Sequence, residues 1–361
     1  DITLTENLTV NKEVTLIDDG TKRTITRGSG YTGILITVGN DATLTVEGTK
    51  AGGLVLDGGS VNGVSRMLQV GVSGANTAKM TIRDGVTLQN NLAGNYGGSV
   101  VYIYGTLRME GGHITGNATS NNGTICVGGS QAAPGSFYMM GGTISGNSAN
   151  NGGGVSVGNY ATAEITGGTI SNNTAKTSGG GVQVYNGTLR LGGTAVLTDN
   201  SAGTAGGNLN VNHANAQVSV TDVSITGGMV QDTLNDVHIA AGGSVSVSGN
   251  ADLGNVIYAG AGTNINIAGP LTGTVVATIT PGVMEADAVI LTGADVASYY
   301  MKFELNPDLR DEYGIGSDGL LDVKVYPVSL VLKGESVSSG YAGLEEAIAA
   351  IPDGGAGIIT I

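Results

Sequence analysis

The sequence has little of what identifies the common protein classes. Its 361 residues include one cysteine, no tryptophan, two phenylalanines and six prolines, and only 12% of them are charged. A lone cysteine, Cys126, permits no internal disulfide, and six prolines exclude a collagen-like chain. No stretch of about 20 apolar residues is present to span a bilayer. Repetition and packing must therefore hold the chain together.

The charge balance excludes a further group of partners. Lysine and arginine number 15 against 29 aspartates and glutamates, which gives a formal net charge of −14. Nucleic acids and anionic membranes both attract proteins that present a cationic face. We therefore expect no nucleic-acid partner and no insertion into a membrane.

Glycine and short aliphatic runs are abundant. The chain contains 64 glycines in 361 residues, against about 7% in average proteins. Hydrophobic residues make up 40% of the chain and fall in short β-prone runs such as 245–247 and 265–267. This aliphatic content excludes disorder and predicts a thin, aliphatic core.

Internal repeats predict the architecture. The segment Gly-Gly-His-Ile-Thr-Gly-Asn at 111–117 recurs at 141–147 and 167–173, with a looser copy at 192–200. A second block, Gly-Gly-Gly-Val-x-Val, occurs at 152–157 and 179–184. Each period holds three short strands separated by turns rich in glycine, asparagine and serine. We therefore predict an all-β fold, a right-handed parallel β-helix of about ten coils over residues 1–280.

The repeat also predicts what each column of stacked residues does. Alternation within a strand places Ile114, Ile144 and Ile170 inward, in one column of the core. Four asparagines fall at the same turn of successive coils, where one side-chain amide can bond to the next. The predicted asparagine ladder comprises Asn117, Asn147, Asn173 and Asn200.

The C-terminal region differs in composition from the repeats. Residues 281–327 carry prolines, paired tyrosines and acids, which predicts a cap that stops edge pairing. Residues 328–361 have the pattern of a strand, a helix and a strand. The helix would place Leu344, Ile348 and Ile351 on one face, and we expect this face to make end-to-end contacts with a neighbouring copy. A strand–helix–strand segment of this kind is suited to opening a following β-helix module.

We therefore expect the chain to be one unit of a tandem array, cut from a longer precursor. The sequence begins at Asp1 with a strand pattern, and Asp1 would follow naturally on the final strand of the tail.

The repeats from about 85 to 230, with Leu-Glu-Glu-Ala-Ile at 344–348 and Ile-Thr-Ile at 359–361, resemble a known group. They are similar to the right-handed β-helix regions of giant surface proteins, or adhesins, of Gram-positive gut bacteria. More distantly, they resemble the repeats of chlamydial polymorphic outer-membrane proteins. The resemblance implies an extracellular location, at the bacterial cell surface or secreted, and often an adhesive role.

Candidate residues for chemistry are sparse. Glu164 and Asp199 are the one acid pair that neighbouring coils of the regular region might bring together for glycoside hydrolysis. His113 takes an outward strand position, and Cys126 aligns with the outward residues Ser156 and Gln183. Neither His113 nor Cys126 has a partner at catalytic or metal-ligand spacing. We expect no catalytic residue, metal or cofactor.

Two tyrosines are candidates for ligand contact. Tyr160 and Tyr185 follow matching strands one coil apart and would form a strip for a host or bacterial surface glycan or protein. The sequence favours a rigid, non-catalytic module that acts as a stalk or adhesive surface. Two alternatives stay open, a carbohydrate-active enzyme and a subunit of a self-assembling extracellular filament.

Overall fold

The structure is a computed structural model. It describes residues 1–49, 51–324, 328–333, 339–341, 344–352, 355 and 357–360. Side chains within these ranges are described except at 328–329, 339, 341, 344–345 and 360.

The chain folds into a parallel β-solenoid of about eleven coils, which confirms the predicted all-β parallel architecture. Each complete coil passes through four sheets in chain order, here called sheets 1 to 4. Sheet 1 has nine strands: Ile2–Leu4, Lys22–Arg27, Gly53–Asp57, Val86–Gln89, His113–Thr115, Thr143–Ser145, Thr169–Ser171, Val196–Thr198 and Ile225–Thr226. Sheet 2 has eight strands: Asn62–Val64, Leu92–Ala93, Ala118–Thr119, Ser148–Ala149, Thr174–Ala175, Ser201–Ala202, Met229–Val230 and Thr233–Leu234.

Sheets 3 and 4 run further along the solenoid. Sheet 3 has twelve strands: Leu8–Val10, Ile36–Val38, Leu68–Val70, Val101–Ile103, Ile125–Val127, Val155–Val157, Val182–Val184, Leu209–Val211, Val237–Ile239, Asn255–Tyr258, Ala277–Thr280 and Phe303–Leu305. Sheet 4 has eleven: Glu13–Ile17, Thr43–Glu47, Lys79–Ile82, Thr106–Met109, Ser136–Met139, Thr162–Ile165, Thr188–Leu191, Gln217–Thr221, Ser244–Gly249, Asn264–Leu271 and Leu291–Gly293.

The strands of sheet 2 are the main departure from the expected three strands per coil. Most are only two residues long, as in Ser148–Ala149, and a segment of this length cannot display the alternation that identifies a strand in a sequence. Sheet 2 ends in an antiparallel hairpin, Met229–Val230 with Thr233–Leu234. After this hairpin the coils consist of sheets 3 and 4 alone.

The core is a continuous stack of inward aliphatic side chains. Ile114, Ile144 and Ile170 are fully buried and pair in register from coil to coil. The column they form is typical of the whole interior, which forms one apolar cluster from Val10 to Leu321. Each inward residue leaves its neighbours in the strand facing outward.

Glycine pairs allow the coils to stack closely before three successive strands of sheet 1, His113–Thr115, Thr143–Ser145 and Thr169–Ser171. A Cβ added at Gly141 would lie 2.4 Å from the carbonyl oxygen of Glu110 in the preceding coil. Gly142 has φ +84°, a conformation that residues with a Cβ rarely adopt. The repeated Gly-Gly motif is therefore a requirement of this turn.

The described C-terminal residues 281–324 contribute to both long sheets. Leu291–Gly293 and Phe303–Leu305 pair in parallel with the preceding coil. Helix α1 (Val296–Tyr299) and the 3₁₀ turns Tyr300–Lys302 and Pro307–Leu309 connect these strands to an antiparallel pair. That pair is Tyr313–Ile315 with Leu321–Val323.

The tail forms a small unit of its own strands and helix. Val328–Leu332 is the central strand, antiparallel to Ser339–Tyr341 and to Gly357–Thr360. Helix α2 (Leu344–Ala349) packs against it, with Ala347 and Leu330 buried. Among the described residues, no helix has the length and apolar character needed to cross a membrane.

Candidate functional site

The outer face of sheet 3 carries a recessed row of side chains. The row has one residue from each of six successive strands, and each residue pairs in register with the one in the next strand. Its members are Tyr102, Cys126, Ser156, Gln183, Asn210 and His238. They point away from the core, yet Ser156 is only 5% exposed and Gln183 only 6%. Arg190, which faces outward from sheet 4 in the same coil as Gln183, is exposed. The sheet 3 row therefore lies at the bottom of a cleft.

Turns on both sides of sheet 3 form the walls of this cleft. On the side toward sheet 2, Asn122 and Asn151 stack on one another, and Nδ2 of Asn151 donates to Oδ1 of Asn122 at 3.0 Å. On the other side lie Gly158, Asn159 and Tyr185. The enclosed volume is about 420 Å³, within the range of small-molecule sites. We call it the sheet 3 cleft.

The cleft is polar and uncharged. Its lining residues are Tyr102, Asn122, Cys126, Val127, Gly128, Gly129, Asn151, Ser156, Gly158, Asn159, Gln183, Tyr185 and Asn212. Five are carboxamides, each with donor and acceptor atoms, and none is acidic, basic or a histidine. This is notable because the chain as a whole has a net charge of −14.

Two side chains on the floor of the cleft have unused hydrogen-bonding capacity. Within the described part of the chain, neither the hydroxyl of Ser156 nor the amide of Gln183 makes a hydrogen bond, and both reach the solvent in the cleft, since neither is among the fully enclosed unpartnered groups. Deeper in the same row, Nδ2 of Asn210 is also unpartnered, while Oδ1 of Asn210 lies 2.9 Å from Nδ1 of His238. Buried polar groups are normally satisfied, so the floor is prepared for water or a ligand.

Tyrosine rings bound the cleft at two places. Tyr102 lies beside the guanidinium of Arg66, 4.7 Å from the ring centroid, and burial raises the pKa of Tyr102 to about 12. Tyr185 is 48% exposed, and its ring centroid is 5.8 Å from that of His213. Tyr160, the other member of the proposed strip, is 52% exposed and lies outside the cleft lining.

Cys126 occupies the floor of the cleft in the register expected from its alignment with Ser156 and Gln183. All three residues are nonetheless buried, because the neighbouring turns cover this outward row. Burial raises the pKa of the Cys126 thiol to about 12. The thiol is therefore protonated at neutral pH, and it is the thiolate that reacts.

A column of asparagines runs through the turn between sheets 1 and 2 and ends at Asn208, in the turn before a strand of sheet 3. Its members are Asn91, Asn117, Asn147, Asn173, Asn200 and Asn208, all buried. Nδ2 donates to the Oδ1 of the next asparagine at 3.0 Å from Asn117, 3.0 Å from Asn147, 3.0 Å from Asn173 and 2.8 Å from Asn200. The backbone N–H of each donates to the same oxygen. The side-chain amides from Asn117 to Asn200 therefore all point the same way, and Asn91 joins the column through its backbone N–H, which donates to Oδ1 of Asn117 at 3.0 Å.

The column has a buried charge at each end. At one end a guanidinium N–H of Arg27 donates to Oδ1 of Asn91 at 2.9 Å. At the other, Nδ2 of Asn208 donates to Oδ1 of Asp236 at 3.1 Å. The cation meets the oxygen end of the aligned amides and the anion meets the N–H end, so both charges are favourably placed. Burial lowers the pKa of Arg27 and raises that of Asp236.

Sequence reasoning missed Arg27, Asn91, Asn208 and Asp236. Arg27 is 64 residues from Asn91, and Asn208 follows Asn200 by only eight residues, so neither has the repeat spacing. The cleft carboxamides Asn122 and Asn151 occupy equivalent turns one coil apart. This repeat spacing is the one feature of the sequence that marks them as a stacked pair.

The two acids considered as a catalytic pair lie on different faces. Glu164 faces outward on sheet 4, and Asp199 follows a strand of sheet 1 with φ +55°. His113 is exposed, with Nδ1 at 2.7 Å from Oγ1 of Thr143. In the portion of the chain with a described structure, no three His, Cys, Asp or Glu side chains group together to hold a metal ion.

The residues expected to make end-to-end contacts lie in the tail. Ile351 packs against the pair Leu330 and Ala347, whereas Ile348 is 53% exposed. The side chain of Leu344 lies outside the described residues. At the opposite end of the chain, Ile2 and Ile17 are more than half exposed and line a cleft of about 280 Å³.

Comparisons with protein-family models, with curated proteins and with solved structures find no match to this chain.

Proposed function

We propose that the chain is a rigid, non-catalytic β-solenoid module of a bacterial cell-surface or secreted protein, acting as a stalk and as an adhesive surface. The observation that carries this proposal is the unbroken stack of twelve parallel strands in sheet 3. At about 4.8 Å per strand, such a stack is a rod about 50 Å long. A rod of this kind holds a binding surface away from its point of attachment.

Rigidity follows from how each coil is bonded to the next. Hydrogen bonds between coils run along the rod in every sheet, and the asparagine column adds side-chain bonds in the same direction. Buried polar networks with all members satisfied favour one arrangement. The bacterial and extracellular parts of the proposal are supported by the resemblance of the repeats to surface-protein β-helices.

The dispersal of acids supports a non-catalytic role. Glycoside hydrolysis needs two carboxyl groups across one bond, and Glu164 and Asp199 are on different sheets. The sheet 3 cleft, a polar site of the regular coils, has no acid or base in its lining.

The purified protein tests both halves of this proposal. We expect small-angle scattering to give the profile of a stiff rod. Incubation with a panel of polysaccharides should release no reducing ends and no unsaturated products. Reproducible turnover that is abolished by Glu164→Gln or Asp199→Asn would overturn the non-catalytic assignment, and a compact, near-spherical profile would overturn the stalk.

We further propose that neighbouring copies of the module meet end to end. Exposed apolar side chains at both ends support this, Ile2 and Ile17 at one end and Ile348 at the other. Deleting residues 328–361 should abolish association measured by sedimentation and leave the β-sheet circular dichroism unchanged. Ile348→Asp should weaken association in the same assay. Unchanged sedimentation of both variants would remove this part of the proposal.

A further inference from the structure

We infer that the sheet 3 cleft is a binding site for a neutral oligosaccharide. This inference rests on the proposed adhesive role and gives it a location and a ligand class. It concerns the cleft lined by Ser156, Gln183 and Tyr185, with Asn122 and Asn151 as one wall. Four features of the cleft support the inference: its charge, its hydrogen-bonding groups, the Tyr185 ring and its shape.

The absence of charge in the lining selects an uncharged ligand. A carboxylate, sulfate or phosphate bound there would need a cation or several converging N–H donors. The lining holds no lysine, arginine or histidine. The guanidinium of the nearby Arg66 is stacked on Tyr102 and donates to Oε1 of Gln69 at 3.3 Å. The lining itself therefore offers an acidic sugar no cation, and the Arg66 guanidinium beside it is held against the Tyr102 ring.

The hydrogen-bonding groups match hydroxyls. Each carboxamide offers two N–H donors and an oxygen acceptor, and each sugar hydroxyl is both donor and acceptor. Gln183 is 6% exposed and Ser156 is 5% exposed, and neither side chain makes a hydrogen bond to a described residue, so their polar atoms are accessible from the cleft. A ligand hydroxyl placed on this floor would satisfy groups that otherwise depend on water.

The rim supplies a flat apolar surface. Tyr185 is 48% exposed at the cleft edge and is backed by the ring of His213. A tyrosine ring buries apolar area at low cost in conformational entropy, and the C–H face of a pyranose is suited to such a ring. One sugar ring could therefore stack on Tyr185 and direct its hydroxyls to Ser156 and Gln183 on the floor of the cleft.

An extended peptide fits this cleft less well. Peptides bind to sheets mainly by pairing with a free edge, but the strands below the cleft, such as Val155–Val157 and Val182–Val184, are paired on both sides. Peptide side chains also need apolar pockets, and Val127 is the one aliphatic residue other than glycine in the lining. The observations therefore favour a glycan.

The test begins with the intact chain on an array of defined neutral and anionic oligosaccharides, with neutral extended peptides printed alongside. We expect binding to one or more neutral oligosaccharides and to none of the anionic ones. Calorimetry with a bound neutral oligosaccharide should give an affinity that changes less than about twofold between low and high salt, because no ion pair is formed.

Three variants assign the binding to the cleft. Tyr185→Ala removes the ring and should weaken binding about tenfold or more, and Gln183→Leu keeps the volume, removes the amide and should weaken it about tenfold. Tyr160→Ala is the matched control, a tyrosine of similar exposure one coil away and outside the cleft, and should change affinity less than about twofold. Thermal melts check that each variant is folded.

Several results would overturn the inference. They are binding to no neutral oligosaccharide, a preference for anionic sugars or for peptides, and equal affinity for wild type, Tyr185→Ala and Gln183→Leu. These failures would leave the rod shape and the absence of turnover untouched, so the proposed module function would survive them. Cleavage of a bound oligosaccharide would have the opposite effect, since the cleft would stand and the non-catalytic role would fall.

Discussion

The coils between residues 53 and 230 have four sides, whereas the coils between residues 237 and 305 are built from sheets 3 and 4 alone. Both kinds continue the same two sheets in register. The Gly-Gly motifs and the asparagine column occur in the four-sided coils, and the column ends at Asp236, just after sheet 2 ends. The motifs that make the repeat visible therefore specify the turns on either side of sheet 1, while alternation within the strands alone suffices for the solenoid.

The largest expected effect concerns what the two kinds of coil share. Ile144→Asp in a four-sided coil and Ile265→Asp in a two-sheet coil both place a charge at a fully buried position. We expect each to lower the free energy of unfolding by about 4 kcal/mol or more, because the carboxylate has no partner there. Urea unfolding followed by circular dichroism measures this loss.

If either aspartate variant fails to fold, the corresponding alanine variant gives the answer, with an expected loss of about 2–5 kcal/mol. A loss below about 0.5 kcal/mol at one site would mean that the two kinds of coil do not have the same core.

The next effect should separate the two kinds of coil. Asn147→Ala removes an amide that donates to Asn173 and accepts from the backbone and side chain of Asn117. Those groups are then buried without partners, at a cost of about 1–3 kcal/mol. Asn264→Ala in a two-sheet coil removes bonds to two half-buried hydroxyls, which water can replace, and should cost less than about 1 kcal/mol.

Ser156→Ala is a second control for the column, because this hydroxyl has no described partner. We expect it to change the free energy of unfolding by less than about 0.5 kcal/mol. Equal losses for Asn147→Ala and Asn264→Ala in chemical denaturation would contradict a special role of the column.

A smaller difference should appear between two glycines of similar conformation. Gly142 has φ +84° and Gly262 has φ +74°, so alanine at either position costs about 1 kcal/mol in backbone strain. A Cβ at Gly142 would also lie 2.7 Å from Gly111 in the coil before, whereas at Gly262 the nearest atom is 3.5 Å away. We expect Gly142→Ala to be the more costly by about 1–3 kcal/mol, measured as a difference in unfolding midpoint. Equal midpoints would show that the stacking is looser than described.

The smallest effect is a change of slope with pH. Burial holds the pKa of Asp236 above its ordinary 3.8 in the folded protein. At a pH between the ordinary pKa and the raised pKa, the folded state keeps a proton that the unfolded state has lost. Over this pH range, Asp236 therefore makes the free energy of unfolding fall as pH rises. An amide does not titrate, so the stability of Asp236→Asn relative to wild type should increase as pH is raised through that range. Parallel stability curves for the two proteins would contradict this account.

The sequence allowed the solenoid to be predicted because its information is periodic. Alternation around Ile144 and the recurrence of its motif determine the inward column and the parallel stacking. The two-residue strands of sheet 2 were not predictable, since Ser148–Ala149 has no pattern of its own. Its pairing depends on where the adjacent turns hold it.

The candidate site was predictable only in register. The alignment of Cys126, Ser156 and Gln183 follows from the repeat, but their burial depends on the height of the turns beside them. The same limit applies to the ends of the asparagine column, because Arg27 and Asp236 reach it from coils that lack the motif. Contacts between coils that do not share a motif do not recur at the repeat spacing, so the sequence pattern does not reveal them.

The opposite charges at the ends of the asparagine column bear on how a protein of this kind can change in length. The coils that carry Asn117, Asn147 and Asn173 each present an amide oxygen to the coil before and an amide N–H to the coil after. A duplicate of one of these coils would meet both neighbours with the same hydrogen-bonding atoms. Gene duplication can therefore lengthen the rod inside the asparagine column, one repeat at a time, while the charged residues at the two ends of the column stay in place.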